Sequence, residues 1–567
     1  MSVNGAAIAA KKAELTAEGA FFEVADIDVD GKTYKGYKHA PTTALEVLAN
    51  ARNHGALDFL VYEGSRYSYT RLFAEADALA AQLQSDYEIE LGDRIAIAMR
   101  NNAEWLIAYC AATLVGAVVV PINSWGKHEE LEYAIADCGA SLLICDEARF
   151  RLIEQSYEQM DIPAIVVPVS ESFQRPTNVA LFDDVVSAGT EQSYQSPDVS
   201  PEDGAVILYT SGSTGFPKGV YHRHRTIGQA LMNMMFLGLL VAEFEGGPRE
   251  YRGGAERETP MLTVPLFHAT GLLGGFYLPL MMGQKAVMMY KWDGTEALKL
   301  IEQERVTGLA TVPAIIQDLL HNPDFDRYDT SSLMRVSAAG AATPAGLPEL
   351  MAARFEDPSR SAGYGMTETM AVGATMSGAL FDFRPDSAGV QSPIMELRFV
   401  AEDGSVQAPG EPGEIQMRGI CCTPGYWEKP EANAEAFDKD GWLKTGDVGV
   451  LDEENYLYIT GRIKEIVIRG GENIYPGEIE QVAYRLAEVR EVVVFGEPDA
   501  AMGEEMVLVA YPEPGKTLDE SVVRGFLQEH LAGYKVPRTI VIAEEPLPRN
   551  ASEKLHKLKV KEAYLAS

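Results

Sequence analysis

Residues 205–220 read AVILYTSGSTGFPKGV, and this stretch decides how the rest of the chain is read. An apolar strand, Ala205–Leu208, runs straight into a loop of Ser, Thr and Gly that ends at Lys218. Glycines leave backbone N–H groups able to converge on one point, which makes a nest for an anion. Gly212 and Gly215 serve that purpose, the hydroxyls of Thr210, Ser211, Ser213 and Thr214 add donors, and Lys218 adds a cation. A lone Gly/Ser run is more often a surface turn. Here the strand ahead and the lysine behind favour a cradle for a triphosphate. The Walker A pattern G-x-x-x-x-G-K-[ST] is excluded. Counted from Gly212, Pro217 stands at its second glycine and Gly219 at its Ser/Thr.

Upstream, short apolar runs alternate with helical segments. Arg94–Ala98, Ala117–Val120, Ser141–Cys145 and Ala164–Val169 read as strands, and Glu104–Val115 and Glu129–Asp137 as helices. Continuous apolar strands between helices point to an α/β fold with parallel sheets covered on both faces. Glu243–Glu258, rich in glycine and mixed charge, reads as a surface loop. Near Gly461 the texture changes. A compact α+β unit follows, with helices near Pro476–Arg485 and Asp519–Leu531 and strands at Glu491–Phe495, Met506–Tyr511 and Thr539–Ala543.

The chain has 567 residues, 46% of them hydrophobic and 23% charged, and a formal net charge of −35. That length exceeds a single core, and that charge repels nucleic acid and anionic lipid. It also repels ATP, so clustered cations carry information. Five cysteines, an odd number without a C-x-x-C pair, form neither a disulfide framework nor a zinc pattern, and suit a reducing cytoplasm. Thr226–Ala242 and Thr259–Gln284 lack charge, but the first is short for a span and the second is broken by prolines, glycines and His268. Both read as buried core rather than membrane.

The loop 205–220 resembles the phosphate-loop signature of the adenylate-forming superfamily, which comprises acyl- and aryl-CoA ligases, peptide-synthetase adenylation domains and beetle luciferases. VYHRHR places His224 where that family usually has a histidine. Further motifs follow in the family's order between about residues 60 and 560. Pro265–Gly271 (PLFHATG) is similar to the segment beside the acyl tunnel. By that resemblance His268 gates the carboxylate, while Thr270 and Gly271 line the pocket with Thr311, Gly363 and Ala371. Ser337–Thr343 (SAAGAAT) is similar to the loop packed on adenine and implies Gly340, Ala341 and Ala342 there. Gly363–Thr369 (GYGMTET) resembles the segment that stacks adenine on Tyr364 beside Gly365 and Met366, places Thr367 on a phosphate and gives Glu368 to Mg²⁺; a buried aromatic face and a hard oxygen ligand suit those tasks. Asp447, in KTGD, suits paired ribose hydroxyls. Within Gly461–Glu480 the resemblance gives Arg462 a second ribose contact, makes Lys464 the hinge, and lines a pantetheine tunnel with Gly470 and Gly471. Read without it, Gly470–Gly471 is a hairpin turn. Pro546–Lys557 (PLPRNASEKLHK) puts the family's catalytic lysine at Lys554, with Glu553 where a glycine is usual.

The resemblance implies ATP-dependent conversion of a carboxylic acid to an acyl-adenylate, then thioester formation with coenzyme A. ATP, Mg²⁺ and CoA are the implied cofactors. Thr214, Glu368, Arg462 and Lys554 are the implied catalytic set. The implied architecture is a large N-terminal α/β part with a small β-barrel-like subdomain, plus a mobile α+β lid. Residues 1–40 form an extension, 41–463 the AMP-binding domain and 464–567 the lid. Apolar walls favour a fatty or otherwise hydrophobic acid. An aryl-acid CoA ligase, a stand-alone enzyme loading a carrier protein, a luciferase-type oxygenase and a nucleotide sensor remain open, as does a homodimer.

Overall fold

The computed structural model describes residues 3–566, except 171, 172, 174, 177, 211–216, 339–345, 356–359, 471, 500 and 550–553. The runs read as strands converge on one sheet of eight strands. Its order is Gly425–Tyr426, Lys218–Arg223, Gly204–Thr210, Val118–Pro121, Arg94–Ala98, Leu142–Asp146, Ala164–Val167 and Val179–Leu181. The inner strands are parallel, as expected of apolar strands covered on both faces. Helix Ala103–Leu114 is buried along its whole length beneath them, with Trp105 stacked on Tyr109.

A second sheet of six strands is parallel except at one edge. It runs Arg335–Ala338, Gly308–Thr311, Pro260–Leu262, Ala286–Met288, Asp58–Tyr62 and Ser65–Ser68. The expected barrel-like subdomain is a seven-stranded antiparallel sheet whose end strands, Ser361–Tyr364 and Met395–Val400, do not pair with each other. Antiparallel strands alternate inward and outward side chains and need no closure when another layer covers one face. The last sheet has five strands, and its core is formed by Val467, Ile474, Val492, Val494, Met506 and Leu508 with the helices Pro476–Ala483 and Glu520–His530. Only the 3₁₀ turn Ile463–Glu465 and Ile466 separate Tyr456–Arg462, in the seven-stranded sheet, from Val467–Arg469, in the five-stranded one. Lys464 sits in that turn.

Helix His224–Glu245 is long and apolar enough to cross a bilayer. Most of its apolar window is buried against protein, so it is a core helix. Much of that cover comes from the N-terminal segment, a helix Gly5–Leu15 and a hairpin Val24–Val29/Lys32–Tyr37. Tyr37 is 1% exposed, and the Gln229 side-chain amide takes both its backbone groups, at 2.7 Å to N and 2.9 Å to O. The Tyr37 hydroxyl meets Asn233 Oδ1 at 3.1 Å.

Candidate active site

The strands Gly204–Thr210 and Lys218–Arg223 form an antiparallel pair in which Thr210 faces Lys218. The phosphate-loop residues Ser211, Gly212, Ser213, Thr214 and Gly215 lie outside the described residues, but both posts of the loop are fixed. The outer edge of Lys218–Arg223 pairs with the two-residue strand Gly425–Tyr426. That pairing brings in a residue the sequence reading missed. The Tyr426 ring lies under Lys218, 4.7 Å from its ammonium, and the Tyr426 hydroxyl donates to Glu368 Oε1 at 2.8 Å. Glu368 is 7% exposed. Burial holds its carboxyl above the ordinary glutamate range, against a backbone hydrogen bond, the Tyr426 bond and the nearby Lys218. A cation, an aromatic face and a costly buried carboxylate therefore stand together beside the phosphate loop.

Glu368 lies in a 3₁₀ turn, Thr367–Thr369, that follows strand Ser361–Tyr364. The turn ends with Met370 and Ala371 at φ 50° and 59°, a left-handed pair without glycine. Such residues cost of order 1 kcal/mol each and persist where the surroundings over-determine them. His222 supports the turn, its Nε2–H donating to the Thr367 carbonyl at 2.7 Å. His224, the residue singled out from sequence, instead faces the start of another helix, where its Nδ1 accepts from Ala44 N–H at 3.3 Å. Burial lowers the pKa of both rings to about 4, so both are neutral.

The other end of the segment meets the nucleoside candidates. The Tyr364 hydroxyl donates to Asp447 Oδ2 at 2.9 Å, and Arg462 Nε pairs with Asp447 Oδ1 at 2.9 Å. The pairing follows from sheet register, because Asp447 and Arg462 are direct partners on neighbouring strands. Asp447 is 7% exposed, and burial raises its pKa against the pull of Arg462 and Tyr364. Arg462 keeps a largely exposed side chain. Gly340, Ala341 and Ala342 of the adenine loop lie outside the described residues, whereas Gly363, Gly365 and Met366 adjoin Tyr364 and Thr367 on the same segment.

Lys554 is close enough to Arg462 and His268 for their charges to couple. Burial, then Arg462, lowers the pKa of its ammonium. His268 packs on Phe267 with ring centres 4.4 Å apart, and the Phe267 ring meets Trp125 edge-on at 5.5 Å. Burial and Lys554 lower the His268 pKa to about 4, so its ring is neutral too, and its Nε2 is buried without a partner among the described residues. Asn101 holds this segment by donating to the Val264 carbonyl and accepting from Leu266 N–H, both at 3.0 Å. Gly271 starts a π-helical stretch, Gly271–Tyr277, and a Cβ there would lie 2.1 Å from the Pro265 carbonyl oxygen. Only glycine fits that approach. Thr311 is buried at the end of strand Gly308–Thr311, while Thr270, Gly363 and Ala371 present exposed atoms.

One set of contacts joins Lys218, Tyr426 and Glu368, a second joins Tyr364, Asp447 and Arg462, and charge coupling extends from Arg462 to Lys554 and from Lys554 to His268. Residues over three hundred positions apart in the chain share one site. Gly470, at φ +62°, begins the turn between Val467–Arg469 and Glu472–Ile474, as the hairpin reading expects, and Gly471 lies outside the described residues. Arg469 and Lys535, two cations of the C-terminal unit, carry carboxylate partners, Glu505 and Glu478, each at 2.7 Å.

The sequence pattern of the AMP-binding enzyme family matches residues 47–427, and that of the AMP-binding enzyme C-terminal domain matches 478–554. A 3-[(3aS,4S,7aS)-7a-methyl-1,5-dioxo-octahydro-1H-inden-4-yl]propanoyl:CoA ligase of Rhodococcus jostii is 32% identical over 91% of this chain and 98% of its own length. The long-chain-fatty-acid–CoA ligase FadD13 of Mycobacterium tuberculosis is 30% identical over 87% of this chain and 93% of its own length. Among solved structures, o-succinylbenzoate CoA synthetase (MenE) of Bacillus subtilis in complex with its acyl-adenylate superposes with a TM-score of 0.74 and 27% identity over 91% of this chain and 97% of that one. The same enzyme in complex with ATP and a magnesium ion gives the same TM-score, 0.74.

Proposed function

This chain belongs to the AMP-binding enzyme family, and on that premise we propose that it activates a hydrophobic carboxylic acid with ATP and transfers the acyl group to coenzyme A. It is an AMP-forming acid–thiol ligase. One observation carries the reading of the site: Lys218, Glu368, Asp447, Arg462, Lys554 and His268, drawn from separate motifs, are linked by contacts and charge coupling.

A carboxylate is a poor acyl donor because its leaving group would be oxide. Attack of its oxygen on the α-phosphate of ATP forms a mixed anhydride and expels pyrophosphate. Two anions must meet, so neutralising charge is the main task. Lys218 takes the β- and γ-phosphate side with the 211–215 loop. Lys554 bridges the incoming carboxylate and the α-phosphate. Its depressed pKa is relieved by that anion, so the contact favours the loaded state. Asp447, oriented by Tyr364 and Arg462, accepts the ribose hydroxyls. His268, neutral at working pH, guides the acid without adding charge.

Glu368 fits a magnesium ion. It is a buried carboxylate that costs free energy while ionised, beside a phosphate loop. No group of three or more acidic, His or Cys side chains able to hold a metal gathers among the described residues. One carboxylate sharing the ion with phosphates is the usual arrangement for magnesium. Bound there, magnesium would neutralise phosphate charge.

The CoA thiol must then reach the carbonyl carbon that Lys554 has covered. The short connection at Lys464 supports rotation of the C-terminal unit to uncover it. The family resemblance gives the acyl pocket the small uncharged residues Gly271 and Ala371, which suits a fatty or other hydrophobic acid, and R. jostii and M. tuberculosis relatives named for such acids support that choice. An aryl acid is the second reading, since the MenE neighbour binds one as its adenylate. A cytoplasmic setting, where ATP and CoA are at hand, fits both.

The test separates the two half-reactions. Lys554→Ala loses acid-dependent ATP–pyrophosphate exchange but still makes thioester from supplied acyl-adenylate and CoA. Equal loss in both half-reactions would reject the role given to Lys554, and a panel of acids in the exchange assay identifies the substrate class.

A further inference from the structure

We propose that Glu491 is a positioning residue for adenylation, fixing the segment that carries Lys554; the inference rests on the role of Lys554 given above. Glu491 lies on strand Val489–Asp499 and is 3% exposed. Both of its oxygens are spent on the segment 546–557. Leu547 N–H donates to Oε2 at 2.7 Å, and Arg549 Nη2 donates to Oε1 at 2.5 Å. Leu547 is itself 6% exposed and packs with Val493, Phe495, Val507 and Val509.

The downstream side of Lys554 is tied back to the same place. Arg549 forms a β-bridge with Leu555, the residue next to Lys554, and His556 N–H donates to the Pro548 carbonyl at 2.7 Å. Glu491 therefore sets Arg549, Arg549 sets Leu555, and Leu555 sets where the Lys554 backbone starts. A buried ion pair is a poor source of stability, since well-packed apolar groups do as well. What it adds is direction. Carboxylate-to-guanidinium and carboxylate-to-N–H bonds fix a register that side-chain packing leaves free to slide. The adenylating cation needs that accuracy, because a displacement near 1 Å costs about 100-fold in rate.

The experiment uses the full-length enzyme with Glu491→Gln, Arg549→Gln and the double variant. Each single change is expected to lower kcat for ATP–pyrophosphate exchange about 10- to 100-fold. KM for ATP should stay within about twofold, and thioester formation from supplied acyl-adenylate within about threefold, because Lys554 has withdrawn in that step. The double variant should be no worse than the worse single, as for two members of one device. Equal loss in both half-reactions would overturn the proposal in favour of a purely structural pair. So would unchanged exchange, or a fully active Arg549→Gln beside a Glu491→Gln that fails to fold. Lys554→Ala runs alongside. If it keeps exchange activity, the reading of the site has failed; if it loses exchange while the other variants keep theirs, only the role of Glu491 has.

Discussion

Replacing Tyr426 with Phe isolates one bond at the centre of the site. The ring that lies under Lys218 stays, 4.7 Å from its ammonium. The hydroxyl that donates to Glu368 Oε1 at 2.8 Å is lost. A hydrogen bond to an ionised group contributes about 2 kcal/mol net, and Glu368, at 7% exposed, is not screened by water. That loss raises the carboxyl further, on top of the rise burial already causes. In the role proposed for Glu368, magnesium–ATP selects the carboxylate, so protonation competes with binding. The sign follows: affinity is kept at high pH and lost as pH falls through the raised pKa. For Tyr426→Phe, KM for magnesium–ATP should rise by up to about 30-fold, the equivalent of about 2 kcal/mol, most at the acid end of the range and least at the alkaline end, with kcat little changed because Lys554 is untouched. The assay is ATP–pyrophosphate exchange across pH 5.5–8.5 at saturating acid. If variant and parent give parallel pH profiles, or the variant loses kcat with KM intact, the coupling of Tyr426 to Glu368 is refuted.

Acid should weaken the fold through His222 and His224. Their folded-state pKa of about 4 lies below an unfolded value near 6.5, so the unfolded chain binds more protons in between. Stability is full above about pH 6.5 and falls towards pH 4, by up to ~3 kcal/mol per ring; urea midpoints at pH 7.5 and 5 measure it, and a flat profile contradicts it. Gly271→Ala forces a methyl to within 2.1 Å of the Pro265 carbonyl. Overpacking of this kind costs about 1–3 kcal/mol, and because His268 rides on the same turn, Tm should fall together with acid-dependent exchange. His268 itself, with its pKa lowered to about 4, should add no inflection to the exchange rate between pH 6 and 7; one that vanishes in His268→Asn would contradict its neutral role.

Four inner strands of the eight-stranded sheet were legible as short, mostly apolar runs, whereas the parallel strands of the six-stranded sheet were not read. Arg94–Ala98 matches residue for residue, and the others differ by a position or two at their ends. Strand Lys218–Arg223 was not read, because its lysine, histidine and arginine break the run. Motif residues were legible in order but not in contact. Tyr426 is 58 positions from Glu368, and only a two-residue edge strand brings it there. His222 and His224 show a related limit. Both stand in one short motif, yet one supports Thr367 and the other faces Ala44. Glu491 and Arg549 are likewise 58 apart, and nothing local to either announces the pair.

The N-terminal segment looks like an appendage, since the family pattern begins at residue 47. Yet its hairpin ends in Tyr37, wedged against Phe22 and Phe236, and it lies along the helix that runs on from the strand leaving the phosphate loop. Asp30 also pairs with Arg223 on that strand at 2.5 Å. A chain trimmed to its recognisable boundaries would keep every catalytic candidate and strip the roof from its greasiest helix. Homology marks where the chemistry begins, but the cover of that helix begins some forty residues earlier.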